Sequence, residues 1–368
     1  MKEPAPDVSV VTSGHDVSDA RLHREVAGLR REGLSVEVLG LGEAGAGPDG
    51  VAVRVWVRGS MIARLLRALT LPWRARGRVL LTLDPDVVPA ALLVARVRRR
   101  RLVCDVHEDY LALLADRGWV PRLLRGVLRA LAAWCLALAG RADLTCVADE
   151  HVPPDADRCR ARLVVLNLPD PALLPEPGPL PAVPPLRAVY VGDVRTTRGL
   201  RDMVEAVAGA PGWELDVVGP VIAEDEPWLR ARLERDDVAG RVHLHGRMPP
   251  RQAWQVAAGA SVGMQLLHST PAFEGAVPTK LYEYLATGLA VLATPLPRVV
   301  PLVEASGAGV LAGDADAAAE VLRGWSERPA DLLARRSAAT AYAQATLLAH
   351  SPWDVLAGRV EELARARR

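Results

Sequence analysis

Val8-Ser9-Val10-Val11-Thr12, the loop Ser13-Gly14-His15-Asp16-Val17-Ser18, the segment Asp19 to Glu32 closed by Gly33, and then Leu34 to Leu39: this opening stretch decides the fold. The first run is rich in β-branched residues and reads as a strand. Asp19–Glu32 repeats its apolar side chains at helical spacing, and Gly33 stands where a helix commonly ends. Leu34–Leu39 reads as a second strand. Strand, helix and strand follow each other with short connections.

Working outward, the same alternation continues. Strands are predicted at Val51–Trp56, Val79–Thr82, Leu102–Cys104, Leu144–Val147 and Leu163–Leu166, with helices at Met61–Leu69, Val88–Arg98 and Arg122–Leu138. Pro169, Pro171, Pro175, Pro177, Pro179, Pro181, Pro184 and Pro185 then crowd into a stretch that can be neither helix nor central strand. Alternation restarts with strands at Ala188–Val191, Glu214–Val218, Val242–His245, Val262–Leu266 and Ala290–Ala293. Helices are predicted at Leu200–Val207, Trp228–Arg235, Gln252–Ala257 and behind Pro278, then at Ala315–Arg323, Ala330–Leu347 and Trp353–Arg367. Such alternation predicts an α/β fold: two Rossmann-like domains of parallel sheet with helices on both faces. The boundaries predicted are 1–170 and 187–348, joined by a proline-rich linker 171–186, with a last helix in 349–368 and a cleft between the domains.

Composition narrows the function classes. Half of the 368 residues are apolar and the net charge is +1, which gives no overall preference for nucleic acid. The charge is unevenly spread, because from Val51 to Arg141 17 arginines face six acids, leaving that region basic and the remainder acidic. The four cysteines, Cys104, Cys135, Cys146 and Cys159, have no paired or metal-type spacing. Met1–Pro6 is not a signal peptide, and the most apolar run, Leu123–Ala139, is too short to span a bilayer, so a cytoplasmic location is expected.

No metal site is expected. His243 and His245 alternate on one strand without a third ligand, and Asp84-Pro85-Asp86, Asp155-Ala156-Asp157 and Asp314-Ala315-Asp316 are chance repeats, the last at a helix start where aspartate caps. More informative is Gly192-Asp193-Val194-Arg195-Thr196-Thr197-Arg198-Gly199, between a strand and a helix, where parallel sheets bind ligands. Arg195 and Arg198 there could grip a diphosphate. Only two lysines stand among the 45 basic residues, Lys2 and Lys280. Thr279-Lys280 opens a helix behind Pro278, which suits a phosphate, and Glu283 lies one turn on, placed to accept from ribose hydroxyls. In the first domain His107, Glu108 and Asp109 crowd beyond a strand end, and Gly14-His15-Asp16 forms a second polar loop on the same rim.

In these segments the chain resembles a retaining GT-B glycosyltransferase of family four (glycosyl transferases group 1). The resemblance runs through Ser13–Arg21, Leu102–Glu108, Tyr190–Gly199, and Val277–Val291 with Gly307-Ala308-Gly309. It implies an enzyme that moves a hexose-type sugar from a nucleotide-diphosphate donor to an acceptor hydroxyl, without cofactor or divalent metal. It implies that Gly14, Arg195, Arg198, Thr279 and Lys280 bind the donor diphosphate and Glu283 the ribose. His107 and Glu274 are the catalytic candidates, His15, Asp16, Glu108 and Asp109 the acceptor-side ones, and the last helix crosses back onto the first domain. Two departures stand out. The glutamate expected eight residues before Glu283 is Gly275, with Glu274 one position off, and Asp193 stands where an arginine is usual. A catalytically silent GT-B scaffold and a GT-B nucleotide-sugar epimerase are the alternatives. The partners expected are the nucleotide sugar, an acceptor molecule, glycan or glycolipid, and no nucleic acid. Peripheral contact with anionic membrane is also expected, through the basic amphipathic stretches around Arg64, Arg67 and Arg74 and around Arg122, Arg125 and Arg129.

Overall fold

The computed structural model describes residues 4–111, 122–176, 178–179, 185–275 and 277–366. Lys2, Pro177, Pro181, Pro184 and Arg367 lie outside these residues, as do the side chains of Arg122 and Arg125. Two compact units are present: Met1–Asn167 with Ser351–Arg368, and Leu168–His350.

The first unit is built on β1 (Val8–Asp16), β2 (Val36–Leu41), β3 (Ala52–Trp56), β4 (Val79–Thr82), β5 (Arg101–Val106), β6 (Leu144–Val147) and β7 (Arg162–Val164). They form one parallel sheet in the order β3-β2-β1-β4-β5-β6-β7. Strands buried on both faces need covering on both, and their near-continuous apolar runs follow from that. Helix α1 (Ala20–Arg31) and the closing helix Pro352–Arg365 cover one face around the fully buried Leu22, Leu29 and Trp353. Helices α2 (Met61–Arg74), α3 (Val88–Val97) and α4 (Arg122–Ala139) cover the other around Leu71, Val94 and Leu136.

In the second unit β8 (Leu186–Val191), β9 (Trp213–Val218), β10 (Val242–Gly246), β11 (Val262–Gln265), β12 (Ala290–Ala293) and β13 (Gly309–Leu311) run parallel in the order β10-β9-β8-β11-β12-β13. Each sheet reverses its winding once, between β1 and β4 in the first unit and between β8 and β11 in the second. Parallel sheets open a ligand crevice beyond the carboxyl ends of the strands at such a reversal.

The structure shifts several expected elements. Pairing of β1 with β2 jumps from Val11 to Asp16, so Gly14 and His15 bulge within a strand, and Asp16 re-enters the pairing, where a free loop was expected. Strand β5 likewise continues to Val106, because Asp105 and Val106 pair with Cys146 and Val147. The short helices Pro271–Glu274 and Val300–Ser306 and strand β13 were not expected; their brevity hides them among prolines and glycines. The single helix expected at Ala330–Leu347 ends at Tyr342 and continues as a π-helical turn, Ala343–Leu347. The described part of the proline-rich segment packs on the second unit. There Leu174 joins the core around Tyr284, and Arg336 donates to the Gly178 carbonyl at 2.6 Å.

Candidate functional site

At the winding reversal of the first unit, β1 and β4 deliver their carboxyl ends to one charged cluster. Asp84, fully buried just beyond β4, accepts from the backbone N–H groups of Ser13 (2.8 Å) and Gly14 (3.1 Å) and from the Thr12 hydroxyl. Its other oxygen faces His15 Nδ1 at 2.9 Å and Arg64 at 3.4 Å. Arg64 also binds Asp86 at 2.8 Å, and Asp86 accepts from the Ser13 hydroxyl at 2.9 Å. One strand over, Asp105 is buried and held by both arms of Arg21, at 2.6 and 2.7 Å. The Arg21 guanidinium stacks 5.1 Å over the Trp353 ring. His107 places Nδ1 3.3 Å from Asp105, and its Nε2 lies 3.2 Å from Nε2 of His15.

Electrostatics follow from burial set against these partners. Burial alone would lower the His15 pKa; Asp84 beside it and the charges of Asp19 and Glu108 together outweigh burial and raise the imidazole to about 9. Burial would raise Asp84 and Asp105, yet His15 holds the first and Arg21 the second well below the usual carboxylate range. Glu25, fully buried one turn after Arg21, is pushed well up by burial and by the Asp105 charge.

At the reversal of the second unit, the loop Gly192–Gly199 is pinned from both sides. Thr196 donates through its N–H (2.7 Å) and hydroxyl (2.5 Å) to Asp225, and the His268 N–H donates to the Thr197 carbonyl at 3.0 Å. A Cβ on Gly219, at φ +141°, would stand 1.8 Å from the Gly192 carbonyl oxygen, so this backbone crossing needs glycine. The loop presents Arg195 and Arg198, whose buried Nε atoms have no hydrogen-bond partner among the described residues. The helix Thr279–Ala286 follows β11, and its Tyr284 hydroxyl accepts from the Val191 N–H at 3.2 Å and donates to the Met264 carbonyl at 3.3 Å. That ring passes over Gly263, where a Cβ would sit 2.3 Å from it. The helix is thereby tied, through its second turn, to the ends of β8 and β11. Lys280, in its first turn, lies 3.0 Å from Glu283 and 5.7 Å over the Trp254 ring; Glu283 is buried, while Lys280 stays about one-fifth exposed.

Residues 195–360, just under half of the chain, match the family model described as glycosyl transferase-like. Solved glycosyltransferase structures superpose along nearly the whole length. HepE of Anabaena, crystallised with UDP and glucose, gives a TM-score of 0.69 at 15% identity, covering 97% of this chain and 99% of its own. Sucrose-phosphate synthase of Thermosynechococcus elongatus gives 0.65 at 15%, covering 98% of each chain. WaaG, a glycosyltransferase involved in lipopolysaccharide biosynthesis, gives 0.62 at 14%, covering 96% and 99%. The fold is GT-B. No curated protein sequence matches the chain.

Within this GT-B chain the expected site residues meet different fates. Lys280 and Glu283 are brought together, with the carboxylate buried. Arg195 and Arg198 share one loop, with Arg195 3.4 Å from Asp193. His15 and His107 touch. Asp16 accepts from the N–H and hydroxyl of Ser18, and Asp109 from the Leu111 N–H, so both carboxylates serve local turns. Glu108 is exposed, and Glu274 is exposed and accepts from the Ser269 hydroxyl. Arg64, expected on an outer basic face, turns instead onto Asp86 and Asp84, because two buried or half-buried carboxylates outcompete water for it. Asp84 and Asp86, read from the sequence as a chance repeat, are central to this cluster, and Arg21, within Ser13–Arg21, has no role in the sequence reading; the available signal was that Asp84 comes just beyond a strand end. His243 and His245, read as ordinary strand residues, pair with Glu214 (2.9 Å) and Asp216 (2.6 Å). Among the described residues no group of three or more His, Cys, Asp or Glu is arranged to hold a metal ion.

Proposed function

We propose that the chain is a retaining, metal-independent glycosyltransferase that moves a hexose-type sugar from a nucleoside-diphosphate donor to an acceptor hydroxyl. The observation that carries this reading is the Lys280–Glu283 pair, an ammonium on the first turn of a helix beside a buried carboxylate one turn later. That arrangement suits a diphosphate on the cation and helix amides, with ribose hydroxyls on the carboxylate. In this reading Arg195, Arg198, Thr279 and Lys280 neutralise the leaving diphosphate, with Gly14 allowing close approach. His107 and Glu274 attend the sugar, and His15, Asp16, Glu108 and Asp109 line the acceptor side. Departure and attack share one sugar face, and a leaving-group phosphate oxygen takes the acceptor's proton. The complexes of HepE carry UDP and UDP-glucose, which makes these the first donors to try.

Gly275, standing where the resemblance expects glutamate, favours the scaffold reading instead. Incubation with UDP-glucose and no acceptor separates the two. A transferase is expected to release glucose and UDP slowly, and the His107→Ala variant to bind UDP but release about 100-fold less glucose. Intact donor across a panel of nucleotide sugars overturns the enzyme reading, and a changed sugar still bound to UDP points to an epimerase.

We also assign the outer face of α2, α3 and α4 to an anionic membrane surface, for a chain working in the cytoplasm. Ile62, Leu65, Leu66, Leu93, Val127 and Trp134 are exposed there, among arginines such as Arg67, Arg96 and Arg129. No helix of the described residues is long and apolar enough to cross a membrane. Flotation with phosphatidylglycerol vesicles is expected to carry the protein upward at low salt and to release it at high salt. The double substitution Leu65→Ser with Trp134→Ser should abolish flotation. Equal flotation with neutral vesicles, or none at all, sinks the assignment.

A further inference from the structure

The two histidine rings at the reversal of the first unit impose a condition on their own protons. Their Nε2 atoms lie 3.2 Å apart with the rings edge to face, so one nitrogen must donate and the other accept. Each Nδ1 faces a buried carboxylate, Asp84 for His15 and Asp105 for His107, at 2.9 and 3.3 Å. Both contacts are too bent to count as hydrogen bonds, and they act as charge contacts. A bare Nδ1 lone pair against a carboxylate is repulsive, so both Nδ1 atoms carry protons. Two protonated Nε2 atoms would collide. The pair therefore holds three ring protons and a single positive charge.

The surroundings decide where the charge sits. Asp105 is saturated by the two-armed grip of Arg21, so little of its charge is left for His107. Among the described residues, the Asp84 oxygen facing His15 has one other contact, the longer one to Arg64 at 3.4 Å. Asp19 and Glu108 add negative potential at His15, and Asp19 also faces His107. We propose that His15 is a positioning residue: as the imidazolium of the dyad, it donates to His107 and holds that ring neutral, with Nδ1 protonated and turned to Asp105. His15 stands in the bulge of β1 just before Asp16, a bulge whose geometry is enforced by the grip of Asp84 on Ser13 and Gly14. The consequence for turnover rests on the glycosyltransferase reading; the proton count does not.

The test is nitrogen-15 NMR of the histidine rings in the full chain, assigned with His15→Gln and His107→Gln. Near pH 7.5 the expected spectrum shows both His15 nitrogens protonated and His107 as a neutral ring with the proton on Nδ1. The His15 charge should persist to about pH 9. In His15→Phe the His107 tautomer is expected to become mixed, while His15→Gln, whose amide can still donate, keeps it. Two rings in the same protonation state, or His107 with its proton on Nε2, overturn the proposal. If the chain turns over sugar, His15→Phe should lower kcat by roughly tenfold or more at nearly constant KM for the nucleotide sugar, with His15→Gln restoring most of it. A purely structural His15 would instead give parallel losses in both variants and an unchanged His107 spectrum.

Discussion

Lys280→Ala is expected to weaken UDP binding by about 100-fold, equivalent to roughly 2.7 kcal/mol, read by calorimetry on folded protein. The ammonium is held between a buried carboxylate at 3.0 Å and the Trp254 ring, and about four-fifths of the Lys280 side chain is withdrawn from solvent. A cation so placed meets a diphosphate with little ordering cost, and a charged hydrogen bond in such surroundings is worth about 1.5–3 kcal/mol. Lys280→Arg should recover only part, since a planar fork in a slot shaped for a compact ammonium meets both the phosphate and Trp254 differently. Glu283→Gln keeps shape and Lys280 while removing the acceptor charge, so it should cost affinity for UDP more than for pyrophosphate. Unchanged Kd in Lys280→Ala removes the donor-site assignment. The melting temperature of each variant, measured without ligand, separates this from a loss of folding.

Asp105→Asn is expected to destabilise the first unit by about 3–5 kcal/mol, because Arg21 is left as a buried charge without its anion. For a unit of this size the midpoint should fall by on the order of 10 °C. The double variant Asp105→Asn with Arg21→Met should regain much of the loss, since the cost lies in the uncompensated charge rather than in the pair. If the single variant melts like the parent, the assignment of this ion pair as the organiser of β5 and α1 is wrong. The pH profile follows from signs. The stability due to Asp105 is present above its ordinary pKa near 3.8 and is lost as pH falls through its lower folded value. That due to His15 is fully present below 6.5 and is lost as pH rises through about 9. Urea unfolding of the parent chain should thus weaken at both ends, with Asp105→Asn falling less steeply at the acid end, where Asp84 still contributes.

Much of this was legible along the chain. Val8–Thr12 with Asp19–Gly33 announces strand and helix because local spacing decides which face of each can be buried, and Asp19 indeed caps α1 by accepting from Arg21 and Leu22. Lys280 and Glu283 were legible for the same reason, as i, i+3 neighbours on one helix turn. Asp314 capping Ala317 was read correctly from its place before an alanine-rich helix. Asp84, Arg21 and Arg64 were not legible, since their partners lie 20 to 84 positions away.

The sequence by itself determined the alternation of strands and helices, the two α/β domains, and the short-range pair on the Lys280 helix. All of these depend on neighbours within a turn or two. Only the tertiary structure decided that Asp84 reaches back to cradle the β1 bulge, that Arg64 turns inward, and that His15 meets His107. Those contacts exist because β4 enters the sheet beside β1 and β5 beside β4, an order that hydrophobic periodicity does not encode. Once side chains from three strands share one buried rim, the low dielectric makes their charges answer to each other rather than to water.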